Sequence, residues 1–324
     1  MLEQQIFQIK TAQDFENIAL EVFQYQFQHV ATYRTYCELI HTKPSEVNAI
    51  EDIPFLPIEF FKKLTVISSE KKLETTFTSS GTTGSVTSKH LVADVQVYRK
   101  SFLDGFQKFY GNPHELVILA LLPSYLERDG SSLVYMVDRL IKETNSPDSG
   151  FYLNDLEKLA EKLVDLDAAG KKVLLLGVSY ALLDLIAHRT FQLKNTYVME
   201  TGGMKGRRKE MIKEALHSKL KIGFGVKKIH SEYGMTELLS QAYSKGDGLF
   251  SCPPWMRVLT RDTEDPLTLV NGTTGGINVI DLANVYSCSF IATQDLGKTY
   301  TDESFEILGR FDTSDIRGCN LMVL

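Results

Sequence analysis

The sequence contains no apolar run long enough to cross a bilayer, few cysteines and no strong excess of charge. Its longest apolar stretch, residues 173–187, is interrupted by Asp184 and falls short of the roughly 20 residues that a membrane helix needs. The N-terminus carries Glu3 and lacks the basic and then apolar order of a signal peptide. The four cysteines lie far apart without a CxxC pair, which argues against a disulfide framework or a zinc ribbon. These absences predict a cytoplasmic protein with no membrane span.

Charge and composition narrow the class further. The 35 basic and 41 acidic residues give a formal net charge of -6, which offers no general field for phosphate backbones, so nucleic acid is not expected as a partner. Hydrophobic residues make up 43% of the 324 positions and aromatic residues 10%. This supply of core residues suits one large α/β domain or two smaller ones.

Several nucleotide-binding and catalytic motifs are also missing. No GxxxxGK[ST] occurs, which argues against a P-loop NTPase, and neither HExxH nor GxSxG is present. Gly223 and Gly225 begin a dinucleotide-like pattern, but its third glycine is absent.

Two N-terminal segments carry local structural signals. Thr11 and Asp14 resemble a capping box ahead of apolar residues at helical spacing. Residues 52–60 place two prolines among apolar side chains, which predicts an extended crossing instead of a helix.

The middle of the chain alternates apolar bursts with helical patterns. Residues 116–122 and 172–178 have the composition of buried strands, and helical patterns follow them at 130–141 and 181–188. Residues 196–199 predict another short strand. Strands that alternate with helices in this way predict an α/β fold with mostly parallel sheets flanked by helices.

Beyond about residue 245 the pattern changes to short strands and turns. Strand-like segments occur at 275–281, 289–293 and 304–308. We therefore predict an α/β core over residues 1–245 and a small β-rich subdomain over residues 246–324.

A polar run of small residues, Thr78-Ser79-Ser80-Gly81-Thr82-Thr83-Gly84-Ser85, is the first candidate for a functional loop. Glycines let a backbone approach a phosphate closely and expose its N–H groups, and hydroxyls donate from the side. The alternative is a flexible surface loop, because small polar residues are common in loops.

Later motifs give this run a context. SSGTTG at 79–84 is followed by TGG at 201–203, and YGMTE at 233–237 comes after a strand-like segment at 228–230. This order resembles the adenylate-forming superfamily of acyl-CoA synthetases and adenylation domains. It is most similar to the acyl-protein synthetase (LuxE-type) branch, a similarity that extends over residues 53–318. Further matching segments are IPFLPIEFFK (53–62), LPSYLERDGSSLVYMV (122–137), ETGGMKGRR (200–208), TQDLG (293–297) and LGRFD (308–312).

The resemblance implies a bound ATP. The polar run would surround its β- and γ-phosphates with the following residues: Ser79, Ser80, Gly81, Thr82, Thr83 and Gly84. Gly202 and Gly203 would let the adenine lie flat against the backbone, where a side chain would collide. Tyr233, which is followed by Gly234, would stack near the base.

The same resemblance assigns the remaining ATP contacts and the reaction. Thr236 would reach the α-phosphate and Glu237 would hold Mg²⁺, as the catalytic pair. Asp295 would accept hydrogen bonds from the ribose hydroxyls, and Arg310 would contact ribose or phosphate. The carboxylate of the substrate, expected to be a fatty acid, would then attack the α-phosphorus of ATP and give acyl-AMP and pyrophosphate. Because two anions must meet, catalysis would consist mostly of charge neutralisation and positioning.

The acyl group would pass to a thiol. Candidate acceptors are CoA, a carrier or reductase protein, and Cys319, since this branch keeps an acylated cysteine near its C-terminus. Cys319 could instead be a small residue in a hinge. The hinge-like residues 309–312 are followed by only twelve residues, so the mobile C-terminal lid domain and its lysine are expected to be missing.

Two alternatives to this function stay open at the level of the sequence. One is an arylacetate-type CoA ligase, and the other is a non-catalytic adenylate-binding or partner-binding protein. For the substrate pocket we list Tyr125, Arg128 and His230, although structural pairing or a core position explains each of them equally well. The identity of the acid is not encoded in any motif.

Overall fold

The computed structural model describes residues 1–79, 87–123, 130–153, 155–202 and 211–311. Its helices are α1 (Leu2–Ile6), α2 (Ala12–His29), α3 (Ala31–Leu39), α4 (Phe60–Lys63), α5 (Val95–Tyr110), α6 (Ser132–Thr144), α7 (Leu156–Ala168), α8 (Ser179–His188) and α9 (Lys213–Phe224). Its strands are β1 (Leu56–Pro57), β2 (Thr75–Thr78), β3 (Lys89–Val92), β4 (Val117–Leu121), β5 (Gly150–Tyr152), β6 (Val173–Val178), β7 (Thr196–Thr201), β8 (His230–Tyr233), β9 (Ala242–Ser244), β10 (Leu249–Phe250), β11 (Met256–Arg261), β12 (Leu269–Val270), β13 (Gly275–Asp281), β14 (Phe290–Thr299) and β15 (Phe305–Arg310).

A six-stranded sheet forms the middle of the molecule, with strand order β5-β4-β6-β7-β8-β9. The first five strands are parallel to one another, and β9 runs antiparallel to β8. Every residue of β4 and β6 is buried, as expected for strands that are covered on both faces. The predicted α/β fold with a mostly parallel sheet is therefore confirmed.

The capping box predicted at the start of the chain is present and begins helix α2. The Thr11 hydroxyl accepts a hydrogen bond from the Asp14 N–H at 3.1 Å, and the Asp14 carboxylate accepts one from the Thr11 N–H at 2.9 Å. These bonds satisfy N–H groups that have no partner inside the helix. The apolar face of α2 is buried, including Phe15 and Phe23. No helix in the described ranges is long and apolar enough to cross a membrane.

A second, seven-stranded sheet has the order β10-β15-β14-β13-β11-β12, and β1 pairs in parallel with β14. The proline-containing segment predicted to be an extended crossing thus supplies β1, whose Leu56 lies opposite Ile291. The proposed boundary after residue 245 falls between β9 and β10. Because β1 comes from the first sixty residues, the β-rich unit also includes chain from the N-terminal part.

Several strands differ in extent from their sequence predictions, most clearly β14 and β8. Strand β14 continues to Thr299, whereas the apolar pattern predicted an end at residue 293. The polar residues of the TQD motif belong to this strand because β15 pairs with them, with Asp295 opposite Arg310. Strand β8 is His230–Tyr233 instead of residues 228–230, because Glu232 lies between partners on both neighbouring strands.

Helix α2 is fastened to the loop before β14 by one buried side chain. The Gln26 amide donates to the carbonyl oxygens of Asn284 at 3.0 Å and Val285 at 3.1 Å. Its oxygen accepts from the Ser289 N–H at 3.0 Å. Gln26 is fully buried, so these backbone groups have no access to water as a substitute partner.

We expect Gln26→Leu to lower the free energy of unfolding by about 2–4 kcal/mol, because it leaves several buried backbone groups unpaired at almost constant side-chain volume. Gln28→Leu on the same helix is the matched control, since Gln28 is exposed, and should change stability by less than about 0.5 kcal/mol. Urea unfolding followed by circular dichroism measures both. Equal unfolding midpoints for the two variants would contradict the role of Gln26.

Candidate active site

The candidate site lies where strands β6, β7 and β8 end. Ligands bind at the carboxyl ends of strands in open parallel sheets, where helix N-termini and loops converge. Register places Val178 beside Thr201, and Thr201 beside Glu232, so the chain segments that follow these strands are neighbours. The predicted adenine turn and the YGMTE motif are therefore brought together by the sheet.

The turn after β7 has a defined backbone geometry. Gly202 has a φ of 63°, a left-handed conformation that costs glycine little. The Ser179 hydroxyl donates to the Gly202 carbonyl at 2.8 Å and so ties the turn to the start of α8. Gly203, the second glycine predicted to contact adenine, lies outside the described residues.

Tyr233 joins the central sheet to the second sheet. Its hydroxyl donates to Asp295 Oδ2 at 2.8 Å, and its ring packs edge-on against Phe250 and Phe305. Arg310 Nε lies 3.3 Å from the other oxygen of Asp295. Asp295, which was predicted to bind the ribose, therefore contacts both Tyr233, predicted to stack near the base, and Arg310, predicted to contact ribose or phosphate.

Asp295 sits in a mixed electrostatic environment. Burial raises the pKa of the Asp295 carboxyl, while the hydrogen bond from Tyr233 and the positive charge of Arg310 act to lower it. The Arg310 side chain is 72% exposed, so its ion pair with Asp295 contributes little stability. A nearly buried carboxylate beside an exposed guanidinium is suited to binding hydroxyls and phosphate oxygens.

Glu237 is almost fully buried at 6% exposure. Burial raises the pKa of its carboxyl, and a hydrogen bond with Ser88 and the positive charges of Lys62 and Arg310 act against that rise. Arg310 was predicted as a site residue, but Ser88 and Lys62 were not. Lys62 is the last residue of the segment IPFLPIEFFK, and Ser88 lies just after the polar run. Only the fold shows that both side chains approach the Glu237 carboxylate.

A buried histidine holds the backbone just before Glu237. His90 Nδ1 lies 2.9 Å from the Thr236 carbonyl oxygen, and its Nε2 lies 2.8 Å from the Ser287 hydroxyl. Burial lowers the pKa of His90 to about 4, so the ring is neutral at neutral pH. Nδ1–H must then donate to Thr236, and Nε2 accepts from Ser287. No sequence motif singled out His90.

Further buried side chains hold the backbone that follows. Asn284 Nδ2 donates to the Glu237 carbonyl at 2.8 Å. Asp281 Oδ2 accepts from the N–H groups of Leu239 and Ser240, each at 2.8 Å. The segment from Thr236 to Ser240 is thus fixed by His90 of β3 and by groups from the second sheet and its connections, which pre-organises the residues predicted to contact phosphate.

The polar run begins where the chain leaves β2, at the Thr78–Lys89 end of the β2–β3 hairpin. The Ser79 N–H donates to the Ser88 carbonyl at 3.1 Å, and the Ser88 N–H donates to the Ser79 hydroxyl at 2.9 Å. Since Ser88 also approaches Glu237, the base of the predicted phosphate loop lies beside the predicted metal ligand. The rest of the predicted loop lies outside the described residues: Ser80, Gly81, Thr82, Thr83 and Gly84.

The weaker pocket candidates are less clearly placed. Tyr125, Arg128 and the predicted acceptor Cys319 lie outside the described residues. His230 is at the end of β8 that is farther from Gly234, where its Nδ1 lies 3.1 Å from the Tyr110 hydroxyl and its ring packs on Tyr197. Burial lowers the pKa of His230 to about 4. These contacts account for its position, and a pocket role for it stays a prediction.

The sequence interpretation assigned no role to Glu232, although it precedes Tyr233. The Thr201 hydroxyl donates to Glu232 Oε2 at 2.5 Å. Burial, together with the negative charge of Glu200, raises the pKa of Glu232 to about 7 in spite of that hydrogen bond. Its signal was an acidic residue in a strand whose first two residues are buried, which is uncommon without a specific partner.

The pKa of Glu200, on the neighbouring strand β7, is shifted in the opposite direction from that of Glu232. Burial acts to raise its pKa, but the hydrogen bond with His217 and the charge of Lys213 outweigh burial and hold the pKa below its usual value. Lys213 Nζ lies 3.8 Å from Glu200 and 4.1 Å from the centre of the Phe250 ring. This cluster packs beneath the predicted adenine turn and keeps Glu200 ionised.

The residues present fit a nucleotide-bound cation better than a structural metal. Within the described ranges, no group of three or more His, Cys, Asp or Glu side chains is arranged to hold a metal ion. Mg²⁺ commonly takes one or two carboxylates from a protein and the rest of its ligands from phosphates and water. Glu237 beside Ser88 suits that arrangement.

Comparison with known proteins identifies the family. The family profile described as "Acyl-protein synthetase, LuxE" matches residues 8–324. The chain belongs to this family. A long-chain-fatty-acid–luciferin-component ligase of Aliivibrio fischeri is 22% identical, over 94% of this chain and 86% of the relative. One of Vibrio harveyi is 23% identical, over 92% and 84%.

Solved structures with the same fold are adenylate-forming ligases. An open conformation of 2-hydroxyisobutyryl-CoA ligase, in complex with 2-HIB-AMP and CoA, has a TM-score of 0.69 and 15% identity. The match covers 94% of this chain and 72% of that one. ATP-bound MatB from Rhodopseudomonas palustris has a TM-score of 0.55 and 19% identity, over 72% and 47%. The acyl-protein synthetase chain therefore shares the adenylate-forming fold predicted for it.

The raised pKa of Glu232 predicts a pH-dependent stability. The folded state binds this proton more tightly than the unfolded state, so the stabilisation is complete below pH 4.5 and is lost as the pH rises through about 7. Glu232→Gln cannot titrate. We expect the wild type to lose about 2–3 kcal/mol of unfolding free energy relative to this variant between pH 5 and pH 8. Urea unfolding across that range measures the difference, and parallel pH curves would contradict it.

Proposed function

We propose that this chain catalyses the ATP-dependent adenylation of a carboxylic acid and transfers the acyl group to a thiol. The observation that carries the proposal is the contact between Tyr233, Asp295 and Arg310 beside the fixed Thr236–Glu237 segment. Membership of the acyl-protein synthetase family supports the same reaction class.

The described residues offer separate positions for the parts of ATP. The turn at Gly202 leaves backbone without a side chain for the flat adenine. Asp295 offers acceptor oxygens for the ribose hydroxyls, and Arg310 offers exposed N–H donors nearby. The polar run starting at Ser79 would bind the β- and γ-phosphates.

The chemistry follows from this placement. A carboxylate oxygen of the acid attacks the α-phosphorus, a P–O bond forms, and the bond to the leaving pyrophosphate breaks with its electron pair. Thr236, held by His90 through its carbonyl, would donate to the α-phosphate oxygens. Lys62 and Arg310 add positive charge on the Glu237 side, which reduces repulsion between the anions. A Mg²⁺ held by Glu237 would neutralise charge on the phosphates.

The proposal also specifies the kind of acid that is adenylated and the kind of thiol that accepts the acyl group. The relatives in A. fischeri and V. harveyi are named for ligation of long-chain fatty acids to a luciferin component. That name supports a fatty acid and a protein acceptor for this chain as well. CoA and Cys319 are the other acceptors to test, because the family resemblance includes both thioester formation with CoA and a C-terminal acylated cysteine.

A pyrophosphate-release screen over a panel of carboxylic acids tests the function. The panel includes short and long fatty acids and arylacetic acids, each with ATP and Mg²⁺, with and without CoA. Acyl-AMP formation in the absence of CoA supports adenylation, and preference for an arylacetate would favour the CoA-ligase alternative. Intact-mass analysis of the same reactions shows whether the chain itself becomes acylated. No release with any acid would leave a non-catalytic binding protein.

Glu237→Gln provides the matched test of the metal position. The change keeps the shape of the side chain and removes its charge, so we expect the fold to be retained and pyrophosphate release to fall at least about 100-fold. Glu161→Gln on helix α7 is the control, because Glu161 is exposed. Equal rates for wild type and Glu237→Gln at saturating Mg²⁺ would rule out this role.

Asp295→Ala tests the ribose contact independently of turnover. Hydroxyls left without their buried acceptor cost about 1–3 kcal/mol, so ATP should bind about 5- to 150-fold more weakly. Tyr233→Phe removes the hydroxyl that donates to Asp295 but keeps the carboxylate. Comparing the two variants separates the effect of positioning Asp295 from the effect of losing its carboxylate. Calorimetry measures both, with exposed Asp165→Ala as the control. An unchanged dissociation constant for Asp295→Ala would exclude the ribose role.

A further inference from the structure

Strand β14 leaves the regular ladder with β13 at the TQD motif. Gly276 of β13 pairs with Leu296 of β14. Two residues further along β13, Asn278 pairs with Ala292, so residues 293–295 bulge out between the two pairs. A bulge interrupts strand pairing and changes the direction of a side chain, and bulges are frequent beside active sites. The last residue of this bulge is the predicted ribose acceptor, so the bulge sets the orientation of its carboxylate.

Arg261 of β11 supplies hydrogen-bond donors at this bulge. Its Nη1 donates to the Ile277 carbonyl oxygen at 2.7 Å and to Asn278 Oδ1 at 2.8 Å. Its Nη2 donates to the Thr293 carbonyl oxygen at 2.5 Å. The planar guanidinium presents several N–H groups in a fixed arrangement, so a single side chain can bind acceptors on two strands. Arg261 thus joins the β13 side of the bulge to its β14 side.

The guanidinium group of Arg261 is closely enclosed. Arg261 lies opposite Gly276, and a Cβ at position 276 would lie 2.6 Å from the guanidinium carbon, so any side chain there would displace the group. The guanidinium also lies over the ring of Phe311, 5.6 Å from its centre. The Phe311 N–H donates to the Gln294 carbonyl oxygen at 2.8 Å, within the bulge. The TQD and LGRFD segments therefore meet at this buried arginine.

The positive charge of Arg261 acts on Asp295. Burial raises the pKa of the Asp295 carboxyl, and the charge of Arg261 opposes that rise together with Tyr233 and Arg310. Arg310 is exposed, whereas Arg261 is buried, and water and salt screen a buried charge less than an exposed one. Burying a guanidinium is costly, so an arginine at this position indicates a need for its charge and its donors.

We propose that Arg261 is a positioning residue of the ribose site. Its three hydrogen bonds hold the bulge that directs Asp295 towards the ribose, and its charge keeps the Asp295 carboxylate ionised. The inference rests on the proposed binding of ATP, and Arg261 acts on the nucleotide through Asp295. No motif singled out Arg261, because its carbonyl partners lie 16 and 32 positions further along the chain.

Discrimination between ATP and 2′,3′-dideoxy-ATP tests the inference. The analogue lacks both ribose hydroxyls, so the ratio of the two dissociation constants reports on the ribose contact. We expect the wild type to bind ATP at least about 10-fold more tightly than the analogue, and Arg261→Met less than about 3-fold more tightly. Calorimetry in the presence of Mg²⁺ measures both nucleotides. A purely structural loss would weaken both by the same factor, so a wild-type ratio in folded Arg261→Met would overturn the inference.

Two comparisons connect the ratio to Asp295. Arg257→Met is the matched control on the same strand, because Arg257 pairs with Glu303 at 3.0 Å and lies over the ring of Phe15. It should keep the wild-type ratio. The double variant Arg261→Met with Asp295→Ala should have the same ratio as Asp295→Ala alone, since two residues that act through one contact are not additive. An effect of Arg261→Met on the ratio that is equally large in both backgrounds would contradict the assignment.

Two further variants carry the same test if Arg261→Met does not fold. Arg261→Lys keeps the charge but lacks the planar fork, so we expect a ratio between those of the wild type and Asp295→Ala. Gly276→Ala keeps the arginine and displaces its guanidinium, so it should lower the ratio as well. Wild-type ratios in both variants would overturn the inference.

The proposed function and this inference fail in different ways. Pyrophosphate release by a wild type that binds both nucleotides equally contradicts the ribose contact and the role of Arg261, but not adenylation. The expected ratios without pyrophosphate release from any acid contradict adenylation and support the role of Arg261. Absence of ATP binding to the folded wild type contradicts both.

Discussion

The candidate site depends on how the backbone after strand β8 is held. Three buried polar side chains, His90, Asn284 and Asp281, bond to main-chain groups between Thr236 and Ser240. Each is buried, so the loss of a partner cannot be compensated by water. This constraint fixes the YGMTE segment against the second sheet and leaves its polar residues at the edge of the parallel strands.

The same hydrogen bonds connect the second sheet and the N-terminal helix α2 to the candidate site. Asn284, which holds Glu237, belongs to the loop to which Gln26 of α2 is bonded. Asp295, which accepts from Tyr233, belongs to β14, and β14 also pairs with β1. A change at Gln26, at Asn284 or in the pairing of β1 with β14 would therefore reach the candidate ATP contacts through backbone positions, without touching a ligand.

Electrostatics at this edge are set by neighbours more than by residue type. Glu200 lies on β7 and Glu232 lies on the neighbouring strand β8. The carboxyl of Glu200 is held ionised, whereas the carboxyl of Glu232 titrates near neutral pH. Lys213 and His217 stabilise the charge of Glu200, whereas Glu232 has a single hydroxyl donor and a like charge nearby. Two identical side chains thus differ in charge: Glu200 is ionised beside the turn, and Glu232 titrates near neutral pH.

The sequence by itself determined the local elements, the fold class and the family. These features depend on residues that are close together in the sequence, so they can be identified without a structure. They are the capping box at Thr11, the alternation of strands and helices, and the order of the motifs. Only the tertiary structure decided the partners of Gln26 and His90, the extension of β14 and the raised pKa of Glu232. Those partners are far apart in sequence: Gln26 and Ser289 are 263 positions apart. Periodicity and spacing report on neighbours along the chain, whereas hydrogen bonds and pKa values depend on which distant residues the fold brings into contact.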